Sequence, residues 1–167
     1  MEGVRVSLES DLKTIAMQEK ELQFDTFGAD LVWALGSRLR ADAIARGAAM
    51  TFEVQVTGRT VFMTATDGAA PSQADWIRRK RNVVMRFGRS SYAVGLQLEF
   101  DGQTLEARHG LTLADYAVHG GGFPIVLRGT GLIGSVVASG LAQRVDHAMV
   151  VDAIAGVLGI EVDRLAD

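Results

Sequence analysis

Five consecutive residues, His119-Gly120-Gly121-Gly122-Phe123, set an imidazole beside three backbone amides that no side chain shields. Glycines in series reach conformations barred to other residues and let a ligand approach the main chain, so their amides can cradle an anion or a carbonyl oxygen. Their commoner role is a tight turn packed against a neighbouring element. A second histidine, His147, follows at the start of a predicted helix, and both imidazoles are candidate polar contacts or ligands, as is any neutral histidine. The partners for a negatively charged ligand are sought in WIRRKRN, where Lys80, Arg78 and Arg81 are the candidate cations. Lys80 is the notable one, because it falls in the middle of the apolar arc of its helix, flanked by Trp76, Ile77, Val83 and Val84. A lysine placed there lays its stem across apolar surface, finds an anionic partner, or has a depressed pKa.

Several chemistries drop out. His-Gly-Gly-Gly resembles the oxyanion-hole run of lipases and esterases, but that reading requires a Gly-x-Ser-x-Gly nucleophile elbow, and the 167 residues contain none. Cysteine is absent, which removes disulfides, thiolate metal sites and cysteine nucleophiles. The three histidines, His109, His119 and His147, match no metal-ligand spacing, so no metal site is assigned. A formal charge of -3 speaks against general nucleic-acid binding, leaving only the RRKR run to support it. No apolar run reaches the roughly 18 to 20 residues that span a bilayer, and the amino terminus is acidic where a secretory signal is basic, so a soluble cytoplasmic protein without membrane contact is expected. Whether the chain is an enzyme stays open; Lys80 and His147 are the acid-base candidates if they converge.

These residues need elements to hold them. Residues 1–24 carry an amphipathic helix, placed from about Ser7 to Phe24, and a second helix runs from about Phe27 to Arg46 with Leu31, Leu35, Leu39 and Ala43 spaced by four. TFEVQVT and TVFMTAT alternate on either side of Gly58-Arg59 and form a hairpin. A helix from Gln73 or Asp75 to Phe87 carries the cations, closed by Gly88. For SSYAVGLQLEF the alternation fits a strand, whereas the caps Ser90 and Ser91 favour a helix over its first half. QTLEARHG reads as a loop and LTLADYAVHG as a short helical turn. FPIVLR and LIGSVVAS make a second hairpin around residues 129–131, and a last helix spans about Asp146 to Leu158, capped by Asp146. Hairpin strands interleaved with helices imply one α+β domain over residues 1–167.

The runs WIRRKRN, RFGRSSYAVGL, DYAVHGGGFPI and SGLAQRVDH resemble those of the UPF0303 family, within the wider haem-degrading domain superfamily that includes GlcG, HbpS and PduO carboxy-terminal domains. The likeness runs from about Phe24 to Leu158. It implies a profilin-like fold, a five-stranded antiparallel sheet between helical layers, and homo-oligomers built from dimers. It also brings haem into view as a ligand, though it assigns no axial ligand to a numbered histidine. The leading expectation is a small-ligand-binding domain for haem or another planar anionic molecule, bedded on Gly120 to Phe123 with His119, His147, Lys80, Arg78 and Arg81 as contacts. The alternative is an oligomeric adaptor without catalysis, resting on an apolar face of the first helix that needs a partner.

Overall fold

Alternation along Thr51–Val56 (β1) sends Phe52 and Val54 to one face of a sheet and Thr51 and Glu53 to the other, and the whole architecture follows from that division. In the computed structural model, which describes residues 2–166, the elements run α1 (Glu2–Glu21), α2 (Ala29–Ala45), β1, β2 (Arg59–Ala65), α3 (Gln73–Phe87), α4 (Ser91–Phe100), α5 (Leu105–His109), β3 (Gly122–Leu127), β4 (Gly131–Ser139) and α6 (Gln143–Leu158). The sheet is antiparallel with order β2-β1-β4-β3. Helices lie on both faces, as expected of an α+β chain. α2 and α6 cover one face, where Leu35, Leu39, Ala43, Met149 and Ile154 meet Phe52, Phe123, Ile125 and Val136. α3 lies across the other with Ile77, Val83 and Val84 buried, and α4 packs between α3 and α1. No described helix is long and apolar enough to cross a membrane.

The sheet has four strands among the described residues rather than the five expected. The edge of β3 is instead met by one residue, Phe24, whose amide donates to the Val126 carbonyl at 2.9 Å and whose carbonyl accepts from the Arg128 amide at 2.9 Å. Asp25 and Thr26 are exposed directly afterwards and α2 begins at Ala29, so the contact stops at a single bridge.

Other boundaries move for identifiable reasons. The first helix begins at Glu2 rather than Ser7, ends at Glu21, and buries its apolar side: Ile15 is enclosed by Tyr92, Ala93 and Leu96 of α4, with Leu8 and Leu12 beside them. That stretch is therefore not an unpartnered surface. The first hairpin turns on Thr57-Gly58, both at positive φ (48° and 79°), as a tight two-residue turn with the right strand twist demands. The second turns on residues 128–130, with Gly131 already in β4. Ser91–Phe100 is helical throughout; Ser90 caps it by accepting from the Ala93 amide at 3.1 Å. Its pattern is ambiguous because neighbours surround it: Tyr92, Ala93, Val94, Leu96 and Leu98 are all buried, which erases the one-sided stripe of a surface helix. The helical turn falls at Leu105–His109, capped by Thr104 and closed by Gly110, rather than at Leu111–Gly120. The last helix starts at Gln143 with Ala142 in the cap position, so Asp146 lies inside its first turn.

Candidate functional site

The centre of the site is a buried ion pair. Burial on α3 comes every third or fourth residue, and Lys80 shares that inward stripe with Ile77, Val83 and Val84. Its stem crosses toward β4 and the start of α6, where Nζ lies 2.9 Å from Asp146 Oδ2 and donates to the Ala138 carbonyl at 3.0 Å. The lysine is 3% exposed and the aspartate 1%. Asp146 also accepts from the Leu141 amide through Oδ1 at 3.0 Å, tying the 140–142 turn to the helix it precedes. Burial dominates both titrations. It holds the Lys80 ammonium below its usual pKa and the Asp146 carboxyl above its own, outweighing in each case the attraction between them.

The three glycines are packed into this junction. A methyl group on Gly120 would collide with the Gln143 carbonyl oxygen, and one on Gly122 would stand 2.8 Å from Val84 Cγ2 and 2.9 Å from Ser91 Oγ. At Gly121 the backbone is at φ +123°, and a Cβ would strike the Ala138 carbonyl oxygen and approach Lys80 Nζ to 2.9 Å. The run is a close crossing of main chains over the ion pair, buried from Gly120 through Phe123. Its amides are partly spoken for: the Gly122 N–H donates to Ser91 Oγ at 2.9 Å, and that hydroxyl donates to the His119 carbonyl at 2.5 Å.

Beside the pair opens a cleft of about 380 Å³, lined by Ser72, Trp76, Lys80, His119, Ser139 and Gln143 among others. The exposed His119 ring stands edge-on to Trp76, centroids 5.1 Å apart and planes at 81°, and its nitrogens hydrogen-bond to nothing among the described residues. Partial burial, then the charges of Lys80 and Arg79, lower its pKa, so the neutral ring with an available lone pair is the form favoured at neutral pH. Arg79 covers another side of the indole at 4.1 Å while pairing with Asp75 at 2.7 Å.

Of the residues singled out in the sequence, Lys80 and His119 come together at this cleft, whereas Gly120 to Phe123 are buried behind it and do not line it. The rest lie elsewhere. Arg78 is held by Asp75 at 2.9 Å and Asp115 at 3.0 Å and anchors the 111–117 loop. Arg81 reaches Glu53 on β1 at 2.5 Å, with Thr60 donating to the same carboxylate at 2.9 Å. His147 points into the core between Tyr92 and Phe123, its Nε2–H donating to Gln18 Oε1 at 2.9 Å while Nδ1 has no partner. It does not meet Lys80 at the cleft, so the geometry offers no Lys80-His147 acid-base couple. Full burial, reinforced by Arg144, depresses its pKa to about 3, so this imidazole is neutral. No group of three or more His, Asp or Glu suited to a metal ion occurs among the described residues. Trp76 and Asp146 stand at or beside the cleft although neither is among the candidate contacts read from the sequence, where Trp76 belongs to an apolar arc and Asp146 to a helix start that caps and rims a pocket.

A family model described as "Haem degrading protein HbpS-like" matches residues 27–155. A UPF0303 protein of Azotobacter vinelandii is 55% identical over 161 residues, covering 96% of this chain and 97% of the relative. Among solved structures, the Ybr137w protein superposes with a TM-score of 0.84 at 25% identity over 93% of this chain and 94% of its own. A structure titled as a PduOC:heme complex superposes with a TM-score of 0.67 at 15% identity, covering 84% and 99% of the two chains, a likeness of fold.

Proposed function

The chain belongs to the HbpS-like haem-degrading family and its UPF0303 group, and from that premise we propose that it is a small-ligand-binding domain whose cleft takes haem or another planar anionic molecule. The observation that carries this reading is the Trp76-His119 pair, which lines one cleft together with Lys80. An aromatic face, an imidazole with free nitrogens and a cation behind them are the groups a planar anion requires. The fit to haem rests on the same three residues: Trp76 offers apolar ring contact, His119 a nitrogen donor and Lys80 a positive potential partly offset by Asp146. Haem, when bound, supplies the redox chemistry of its iron, and the chain's part is to hold it and limit access of water. The volume, about 380 Å³, lies at the small end of ligand pockets, so a large ring would be held at one edge with the remainder on the rim. The neighbour titled as a haem complex supports the choice of probe.

Native mass spectrometry of protein purified from cells grown with and without added haemin tests the reading. A retained haem or other small molecule, one per chain, is expected. Bare protein in both preparations, together with no saturable haemin absorption shift, would overturn it. Residence in the cytoplasm and assembly from dimers belong to the same proposal. A second reading, an adaptor without catalysis, draws its support from an exposed apolar patch around Trp33 and Met63, apart from the first helix.

A further inference from the structure

β2 is an edge strand with its outer side open, and four large apolar side chains around that edge are exposed. Trp33 is 69% exposed, Ile44 52%, Met63 52% and Val61 42%. The stretch Thr60–Ala65, TVFMTA, carries no charge and no proline, the devices by which edge strands usually discourage pairing. The neighbouring helix contributes a second stripe. On α2, Trp33, Ser37, Ala41 and Ile44 recur at helical spacing beside the inward stripe of Leu35, Leu39 and Ala43, and with Phe62, Met63 and one cation, Arg40, they line a groove of about 610 Å³.

The register of the strand says what fits there. The Thr66 amide donates inward to the Met50 carbonyl at 2.9 Å, so by the two-residue alternation of an antiparallel ladder the N–H and C=O of Ala65 and Met63 point outward. A bulge at Val61 interrupts the alternation beyond Phe62. An antiparallel partner centred on Met63 would place Met63 opposite Met63, Phe62 opposite Thr64 and Val61 opposite Ala65. It would also bring Arg59, at the start of the strand beyond the bulge, toward Asp67, in the turn just past the strand's end. Both are exposed, and neither has an ion-pair partner among the described residues. The strand is thus self-complementary in hydrogen-bonding sense, in apolar content and in charge, which is the signature of an isologous contact.

We propose that β2 pairs with β2 of a second copy across a two-fold axis at Met63, joining two four-stranded sheets into one. The α2 stripes meet beside the axis, and Arg59 of each copy pairs with Asp67 of the other. This assigns a surface to the dimer contained in the functional reading above, and it stands apart from the cleft, whose residues it does not use.

Light scattering and sedimentation at micromolar protein test it. The wild-type mass is expected to be a multiple of two chains. Met63→Lys, which sets two ammonium groups against each other at the axis, is expected to halve the assembly. Arg59→Asp and Asp67→Arg are each expected to weaken dimerisation about tenfold by placing like charges opposite one another, and the double exchange to restore it. Circular dichroism establishes that the variants are folded. Haemin titration of Met63→Lys keeps a failure of this contact distinct from a failure of the cleft. A wild-type monomer at tens of micromolar would overturn the proposal. So would variants whose assembly matches wild type, or a double exchange that stays as weak as the single ones.

Discussion

Lys80 shows how one residue can be legible in a sequence while its partner is not. A lysine in the centre of an apolar arc demands an anion, and the structure supplies Asp146 at 2.9 Å, from a helix 66 residues further along. Pattern located the demand, but only tertiary packing chose the answer, because Asp146 by itself reads as a helix cap. Removing one member leaves the other buried without compensation, so Lys80→Met is expected to cost about 3 to 5 kcal/mol in urea unfolding. The pair Lys80→Met with Asp146→Leu is expected to recover most of that loss, and a double-mutant cycle measures the coupling. Additive losses would show that the two do not act as a pair.

His147 carries a pH dependence whose sign follows from its burial. Its folded pKa of about 3 lies below the 6.5 of an exposed imidazole, so between these values the unfolded chain binds the extra proton. The associated stability is fully present above pH 6.5 and drains away as pH falls toward 3. From pH 6.5 to 5 the loss is expected to be about 1.5 kcal/mol. His147→Leu should flatten this part of the profile of unfolding free energy against pH. A variant with the same slope as wild type would place the protonation elsewhere.

At the scale of elements, α1 is clamped to the rest by polar contacts that hydrophobic periodicity does not report. Gln18 accepts from His147 and donates to the Asp163 carbonyl at 2.7 Å; Asp11 pairs with Arg144 at 2.6 Å; Glu19 accepts from the Ser90 amide at 2.7 Å. The sequence located this helix through Leu8, Leu12 and Ile15, yet Gln18 sits among charged residues and gives no sign of being 2% exposed. The glycine run was legible as a place of close approach. What approaches it was not, since the carbonyls of Ala138 and Gln143 arrive from β4 and α6. Gly121→Ala is expected to destabilise the fold by more than 2 kcal/mol, since it adds a clash to a backbone conformation that side chains rarely adopt. Thermal unfolding reads this, and an unchanged midpoint would mean the junction has room to shift.

For the whole molecule, the layered α+β arrangement and the family were legible because hairpin alternation and local runs such as WIRRKRN and DYAVHGGGFPI are carried by consecutive residues. The gathering of the site was legible only in part. Lys80 and His119 line one cleft, while Arg78 and Arg81, drawn from the same basic run, turn to Asp115 and Glu53 because helical geometry sends neighbours in sequence to different sides. Binding of a planar anion in the Trp76-His119-Lys80 cleft is the proposed function of the whole molecule. Titration of the purified protein with haemin, followed at the Soret band, tests it most directly. A saturable shift at one haemin per chain is expected, weakened at least about tenfold by His119→Ala and left unchanged by His109→Ala on α5, which does not line the cleft. A shift that never saturates, or one of equal affinity in His119→Ala, would contradict it.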